Sequence, residues 1–430
     1  MLMNTFDEVM DWLKNARKFG VKPGLGRMEL VLSTLQNPEK KLQCIHIGGT
    51  NGKGSTVTYL RNILQAAGYS IGTFTSPYVV RFEERISLNG EPIHQDDFVR
   101  AAQTVKDAIE QTDDPFGPAT EFEILTLISF VYFEAIAPDF VIYEVGLGGR
   151  LDSTNVIVPL VSAITNVGMD HMHILGDHVE AIADEKAGII KPRVPVITSV
   201  TDEPSLEVIK KKAAERSAPI TRLNDHFHVT HATTEEEGST FSLRVQDQEL
   251  LDLRIYMRGR HQVDNAALAV SIALEIQKMG HRVGRQAIKS GLVQSMWPGR
   301  LEKVKDKPFT LIDGAHNPEG IESLVRYMQP FAKGRPIHVI AAVTKEKDVN
   351  EMYAPLLSLQ PSSFILTSFD HERCANPTEV AETMSYSGIT VESDNQKAYS
   401  NVKRIAKEKD VILITGSLFF ISEMRTFLTK

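Results

Sequence analysis

Gly48-Gly49-Thr50-Asn51-Gly52-Lys53-Gly54-Ser55 lies between the apolar run Cys44-Ile45-His46-Ile47 and a helical pattern. A glycine-rich turn that leaves a strand and opens a helix aims several backbone N–H groups, and the positive helix end, at one point. Lys53 adds a mobile cation there, and Ser55 a hydroxyl able to reach a metal held by phosphates. Together they are equipment for gripping a nucleoside triphosphate. The stretch departs from the common GxxxxGK[ST] string: Ile47 stands at its first glycine, and Gly54 separates Lys53 from Ser55.

Outward from this turn, short apolar runs alternate with longer helical patterns, which predicts α/β units and mostly parallel sheets. Strands are expected at 43–47, 71–75, 139–144, 160–165 and 194–198. The helix after the glycine turn places Val57, Leu60, Leu64 and Ala67 on one face, and Gly68 stops it. Residues 123–137 are apolar nearly all round and predict a buried helix. The stretch 226–254 reads as a β-hairpin excursion with a Glu-Glu-Glu-Gly-Ser tip. A second α/β pattern follows Trp297-Pro298-Gly299-Arg300, with strands expected at 309–312, 337–342, 363–367 and 411–415. Proline followed by glycine continues neither helix nor strand. The hinge is therefore placed near 296–300, giving domains 1–296 and 297–430.

A chain of 430 residues exceeds one ordinary core, so two domains are the default. Apolar residues make up 42% and charged residues 24%, a globular balance. Net charge is −8 with no block of Lys/Arg, which argues against nucleic acid as a partner. Asp7, Glu8 and Asp11 near the start leave no expectation of a signal peptide. The longest apolar stretch, 124–133, is too short to span a bilayer. Two distant cysteines, Cys44 and Cys374, are expected as free thiols in a reducing compartment, and the expected location is the cytoplasm.

Open parallel sheets bind ligands at the carboxyl ends of their strands. Ser76 follows one expected strand, Glu144 ends another, and Asp170-His171 come just after a third. A hydroxyl, a carboxylate and an imidazole thus stand beside the glycine turn, a set that suits Mg²⁺ or Mn²⁺ completed by phosphate and water. Taken singly, each has an ordinary reading: a strand-end Glu is usually solvated or capping, Asp170-His171-Met172-His173 a polar loop, and 146–149 a tight turn. Their joint placement at one sheet edge lifts the functional reading above these. Lys186 sits in a segment expected to pack. The common reading is a surface charge; a buried, neutral amine would instead react with CO₂ to form a carbamate, an anionic metal ligand. In the second part, Asp313 and His316 follow an expected strand, Arg300 at the hinge can reach phosphate bidentately, and Asn265 opens a helix. Capping and a surface ion pair are the plain readings of these.

The ordered set Gly49-Thr50-Asn51-Gly52-Lys53-Gly54-Ser55, Thr75-Ser76-Pro77, Glu144-Val145-Gly146-Leu147-Gly148-Gly149-Arg150, Asp170-His171, Glu185-Lys186-Ala187-Gly188-Ile189-Ile190, Trp297-Pro298-Gly299-Arg300-Leu301-Glu302, Asp313-Gly314-Ala315-His316-Asn317-Pro318 and Thr415-Gly416-Ser417 resembles the folylpolyglutamate synthase family, including its bifunctional dihydrofolate synthase form, within the Mur ligase superfamily. The likeness spans nearly the whole chain. It implies an N-terminal P-loop ATPase-like domain with a mostly parallel sheet and a C-terminal Rossmann-like α/β domain, with ATP and substrates between them. It assigns the 49–55 turn to the triphosphate, Ser76, Glu144 and His171 to two Mg²⁺ ions, and Lys186, carbamylated, to the second of these. Asn265, Arg300 and Asp313 would contact ATP, with His316 near the phosphates. Gly24-Leu25-Gly26-Arg27, Thr120-Glu121-Phe122-Glu123 and Leu151-Asp152-Ser153 match stretches that hold the pterin substrate, and Ser417 is carried over as substrate-binding.

The resemblance implies ATP-driven amide formation between L-glutamate and a reduced folate or dihydropteroate, through an acyl phosphate, by a monomer. Carboxylate and triphosphate must approach within about 3 Å, so cations have to offset their repulsion. A cell-wall Mur ligase would need a further domain of roughly 100 residues before the glycine turn, and only 47 precede it. A small-molecule kinase would use the same grip and release a stable phosphorylated product. A non-catalytic nucleotide switch would have no use for Lys186 or the Asp313/His316 pair.

Overall fold

Strand β1 (Cys44–Gly48) is buried along its whole length, as a parallel strand with both faces covered by helices must be. In the computed structural model, residues 2–20, 24–246, 248–384, 386 and 388–429 are described. They divide into a first unit, Met1–Ala232 with Phe241–Arg254 and Asp264–Ser295, and a second, Thr233–Thr240 with Ile255–Val263 and Met296–Lys430.

The first unit is built on an eight-stranded sheet. Its strands are β1, β2 (Ile71–Phe74), β3 (Ile86–Leu88), β4 (Glu91–Pro92), β5 (Phe140–Glu144), β6 (Val161–Ile164), β7 (Val196–Thr198) and β8 (Ile220–Arg222), in the order β4-β3-β2-β5-β1-β6-β7-β8. Pairing is parallel from β2 through β8, and β3 and β4 run antiparallel at one edge. The register sets Ile47 opposite Glu144 and Gly48 opposite Ile164. The carboxyl ends of β1, β5 and β6 therefore meet at one edge of the sheet, where α/β folds hold ligands.

The helix Lys53–Ala66 buries Thr56, Thr58, Tyr59 and Ile63 as well as the expected Val57, Leu60 and Leu64. Its outer face is covered by the helix Arg285–Gln294, whose Gly291 lies so close that an added Cβ would come 2.5 Å from Ile63 Cα and N. The buried helix read at 123–137 runs Glu121–Ile136 and is capped by Thr120 and Glu123 reciprocally. The region read as a hairpin is a three-stranded sheet, β11-β10-β9, formed by β9 (Phe227–Glu235), β10 (Gly238–Val245) and β11 (Gln248–Ile255). The second turn was hidden because Gln246, not glycine, takes the left-handed conformation there (φ 50°).

The second unit carries a six-stranded sheet of β12 (Glu302–Lys305), β13 (Phe309–Asp313), β14 (Ile337–Ala341), β15 (Ser363–Leu366), β16 (Ile389–Val391) and β17 (Val411–Thr415), ordered β12-β13-β17-β14-β15-β16. All but β12 are parallel. Apolar clusters cover both faces, one around Leu311, Val339 and Leu413, the other around Ile312, Ile340 and Ile412.

Because backbone rather than a flexible side chain meets position 291, Gly291→Ala is expected to destabilise the first unit by about 1–3 kcal/mol, the range for overpacking. A fall in the unfolding midpoint, followed by circular dichroism, is the check; an unchanged midpoint contradicts it.

Candidate active site

Gly52 caps the helix Lys53–Ala66 in the left-handed conformation (φ 84°), and Gly49 also has positive φ. A Cβ at Gly49 would lie 1.9 Å from Thr165 Oγ1, and one at Gly52 2.3 Å from Asn265 Oδ1. The turn is tied to the chain leaving β6. Thr50 N donates to Asn166 O at 3.0 Å, Asn51 N to Asn166 Oδ1 at 2.7 Å, and Thr165 Oγ1 to Asn51 O at 2.6 Å. Gly168 N donates to Thr50 Oγ1 at 2.9 Å. Lys53 Nζ lies over the loop, donating to Gly49 O at 3.0 Å and Thr50 O at 3.1 Å. Gly54 and Ser55 complete the first helical turn, Ser55 buried, so their N–H groups share the helix N-terminus with Lys53.

Glu144, 4% exposed, ends β5, and Ser76 N approaches its Oε2 at 3.4 Å. The structure thus brings Ser76 to Glu144. Asp170 and His171 are held locally: His171 N donates to Asp170 Oδ1 at 2.9 Å, and the imidazole is 40% exposed at the start of the short helix Met172–Leu175. Among the described residues no three or more of His, Cys, Asp and Glu gather tightly enough to hold a metal by themselves. Lys186, 3% exposed, is buried in the helix Val179–Ala187. Arg150 clamps that helix by donating its N–H to Glu185 O at 2.7 Å and its guanidinium to Glu185 Oε1.

The stretches matched to a pterin site also lie in the first unit. Arg27, 5% exposed, donates to both Glu123 oxygens at 2.8 Å, to Asp114 Oδ2 at 2.9 Å and to Phe116 O at 2.6 Å. Glu123 in turn accepts from Thr120 N at 2.7 Å and Oγ1 at 2.8 Å. The charged ends of Arg27 and Glu123 are therefore turned to each other, while Glu121 pairs with Arg17. Phe122 packs where a Cβ on Gly146 would fall. Leu25 caps the helix Gly26–Thr34, and Leu151 precedes Asp152 and Ser153 on the loop after β5. Asp152 accepts from Leu147 N at 2.9 Å and Thr154 N at 3.0 Å; burial raises its pKa, against the lowering pull of these bonds. Thr154 Oγ1 donates to Asp152 Oδ1 and sits 2.8 Å from His46 Nε2. With the threonine proton so placed, His46 Nε2 is the donor and Nδ1 a bare acceptor, which has no partner among the described residues.

In the second unit, Asp313 at the end of β13 accepts from Leu301 N at 2.8 Å and Ala315 N at 2.9 Å. Burial raises its pKa and the Arg300 charge opposes that. His316 Nδ1 donates to Gly314 O at 2.8 Å, and Arg300 Nη1 approaches the same carbonyl at 3.4 Å. Ser417 follows β17, the neighbour of β13, and is buried. A cavity of about 710 Å³ opens beyond β14, β15 and β16, lined among others by Thr344, Lys345, Ser368, Asn376 and Glu379. Sequence reading missed Thr165, Asn166, Thr154 and His46. The one available signal was a polar Thr-Asn pair directly after an apolar strand.

A Mur ligase middle-domain model matches residues 47–273 and a Mur ligase glutamate-ligase-domain model residues 299–418. The dihydrofolate synthase/folylpolyglutamate synthase of Bacillus subtilis is 41% identical over 431 residues, covering 99% of both chains. Among solved structures, a folylpolyglutamate synthase–AMPPCP–folate complex is 31% identical with a TM-score of 0.85, covering 99% of this chain and 100% of that one. The Mycobacterium tuberculosis folylpolyglutamate synthase complexed with ADP and AMPPCP is 27% identical with a TM-score of 0.91, covering 99% and 98%. Among the described residues no helix is long and apolar enough to cross a membrane.

Burial pushes the His46 imidazole down to about 3 from an ordinary 6.5. The unfolded chain takes up a proton below 6.5 that the folded one refuses, so stability is whole above 6.5 and is lost as pH falls toward about 3. His46→Gln, which keeps a donor for Thr154, is expected to flatten the acid limb of a stability–pH profile in that window. An unchanged slope overturns this assignment of the proton.

Proposed function

The chain belongs to the folylpolyglutamate synthase and dihydrofolate synthase family of Mur ligases and is an ATP-dependent ligase; from that premise we propose how its residues join L-glutamate to a pterin acid. The substrates are a reduced folate or dihydropteroate, ATP and L-glutamate. An oxygen of the acid's carboxylate attacks the γ-phosphorus of ATP, the bond to the β,γ-bridging oxygen breaks, and ADP leaves. The amine of glutamate then attacks the acyl carbon, inorganic phosphate departs, and the nitrogen gives up a proton.

Gly49–Ser55 would cradle the triphosphate, and Lys53 would swing its ammonium from the loop carbonyls onto phosphate oxygens. Ser76 and Glu144 offer the hard oxygen donors that Mg²⁺ prefers, and their meeting at the end of β5 supports a site completed by phosphate. His171 and Lys186 would serve a second ion, Lys186 as the carbamate that the family resemblance implies. Bound Mg²⁺ would supply neutralisation of triphosphate charge. Arg300, Asn265 and Asp313 are assigned to ATP, and His316 to its phosphates. Arg27 and Glu123, occupied with each other, would shape the pterin pocket without touching the pterin, leaving contact to Leu25, Phe122 and the 151–153 loop. Ser417, at the end of β17, would bind substrate on the second unit. The cavity beyond β14–β16 carries both Lys345 and Glu379, which suits a zwitterionic amino acid such as L-glutamate. We place the enzyme in the cytoplasm as a monomer.

The observation that carries this reading is the joining of a glycine-turned phosphate grip to a Ser76–Glu144 pair at one sheet edge. Phosphate release that requires ATP, pterin acid and L-glutamate together, with the glutamylated product seen by mass spectrometry, tests it; release without glutamate would mark a kinase. Lys53→Ala and Glu144→Ala are each expected to lower kcat by at least about 10²-fold, the scale of losing one transition-state charge contact. Lys345→Ala is expected to raise the KM for glutamate about tenfold, with the KM for ATP unmoved. Equal shifts in both constants would detach the cavity from glutamate.

A further inference from the structure

Arg85 has no part in the assignments above, yet it is anchored next to them. Its carbonyl accepts from Thr75 N at 2.9 Å, which fixes it beside the strand end that carries Ser76. The turn between Ser76 and Arg85 is prearranged, because Glu84 accepts from Val79 N at 3.2 Å and from Val80 N and Arg81 N at 3.1 Å. That turn presents two rings, Tyr78 and Phe82, 5.7 Å apart and edge to face. The Arg85 guanidinium lies over both, its carbon 5.5 Å from the Tyr78 centroid and 5.3 Å from that of Phe82.

A guanidinium stacked on rings keeps its planar fork of donors for an anion. Arg85 Nε is sealed from solvent and has no hydrogen-bond partner among the described residues. A shielded donor left unmet is costly unless something else meets it. Burial lowers the Arg85 pKa and Glu121 is the carboxylate that most opposes this, but its two oxygens accept from Arg17 Nε and Nη2 at 2.7 and 3.1 Å. A pure packing role would be met as well by an uncharged side chain of the same length.

We propose that Arg85 anchors the carboxylate of the pterin acid, with the acid's benzoyl ring lying along Tyr78. This rests on the folate reading above. The anion is placed beside Ser76, at the strand end assigned to the phosphates, and the Arg85 charge offsets part of the repulsion between acid and triphosphate.

The test compares dissociation constants for dihydropteroate and for its uncharged carboxamide, read by fluorescence, in the wild type and in Arg85→Met. Wild type is expected to favour the acid by about 10- to 100-fold, the scale of a charged hydrogen-bonded pair. Arg85→Met is expected to bring the two within about twofold by weakening the acid alone, with affinity for a non-hydrolysable ATP analogue unchanged. A retained preference for the acid in Arg85→Met overturns the assignment and leaves the folate reading standing. Wild type that binds neither compound overturns both. If Arg85→Met does not fold, Arg85→Lys, which keeps the charge and loses the fork, is expected to narrow the preference about tenfold; an undiminished preference there refutes the proposal equally.

Discussion

The turn after β1 passes closer to its neighbours than any side chain allows, and the rest of the site depends on that approach. Thr165 Oγ1 occupies the place of a Cβ on Gly49, and Asn265 Oδ1 the place of one on Gly52. The same contacts that demand glycine also shape the turn, since Thr165 donates to Asn51 O and Asn166 accepts from both Thr50 N and Asn51 N. Residues more than 100 positions away therefore hold the loop in the conformation that would receive phosphate. Preorganisation of this kind is what makes a phosphate grip effective, because little reorganises when the charge arrives.

Much of this was legible in the sequence. Strands buried on both faces, such as β1, β5, β6, β13 and β17, read as mostly apolar runs, and their ends located the glycine turn, Glu144 and Asp313. Edge strands were not legible. β8 is only half-buried and β16 largely exposed, so their side chains carry no apolar signature. The pairing of Arg27 with Glu123 was equally hidden. Each lies in a stretch matched to the pterin site, and only the folded chain brings them, 96 positions apart, into one buried pair. Arg85 gave no signal because stacking on Tyr78 and Phe82 depends on the conformation of a turn, not on periodicity.

Two buried carboxylates of the first unit, Glu123 and Asp152, are met by donors of the chain itself. Arg27, Glu123 and Thr120 form a network in which each carboxylate oxygen accepts a hydrogen bond, and a satisfied network of this sort rigidifies its surroundings. Asp152 is similar, with Leu147 N on one oxygen and Thr154 N and Oγ1 on the other. Glu144, also buried, ends β5, where Ser76 N approaches its Oε2 at 3.4 Å.

The second unit repeats the logic with its own strand ends. Asp313 spends both oxygens on the N–H groups of Leu301 and Ala315, and in doing so fixes the turn on which Arg300 stands. His316, bonded through Nδ1 to Gly314 O, has its ring orientation set by the same loop. Neither residue alone distinguishes a ligase from a phosphate-transferring enzyme of another kind. What a ligase requires beyond them is a place for an amino-acid nucleophile, which a kinase does not need. The recess beyond β14–β16, about 710 Å³ with Lys345 and Glu379 in its lining, has room for such a nucleophile, which a ligase must hold until the acyl phosphate forms.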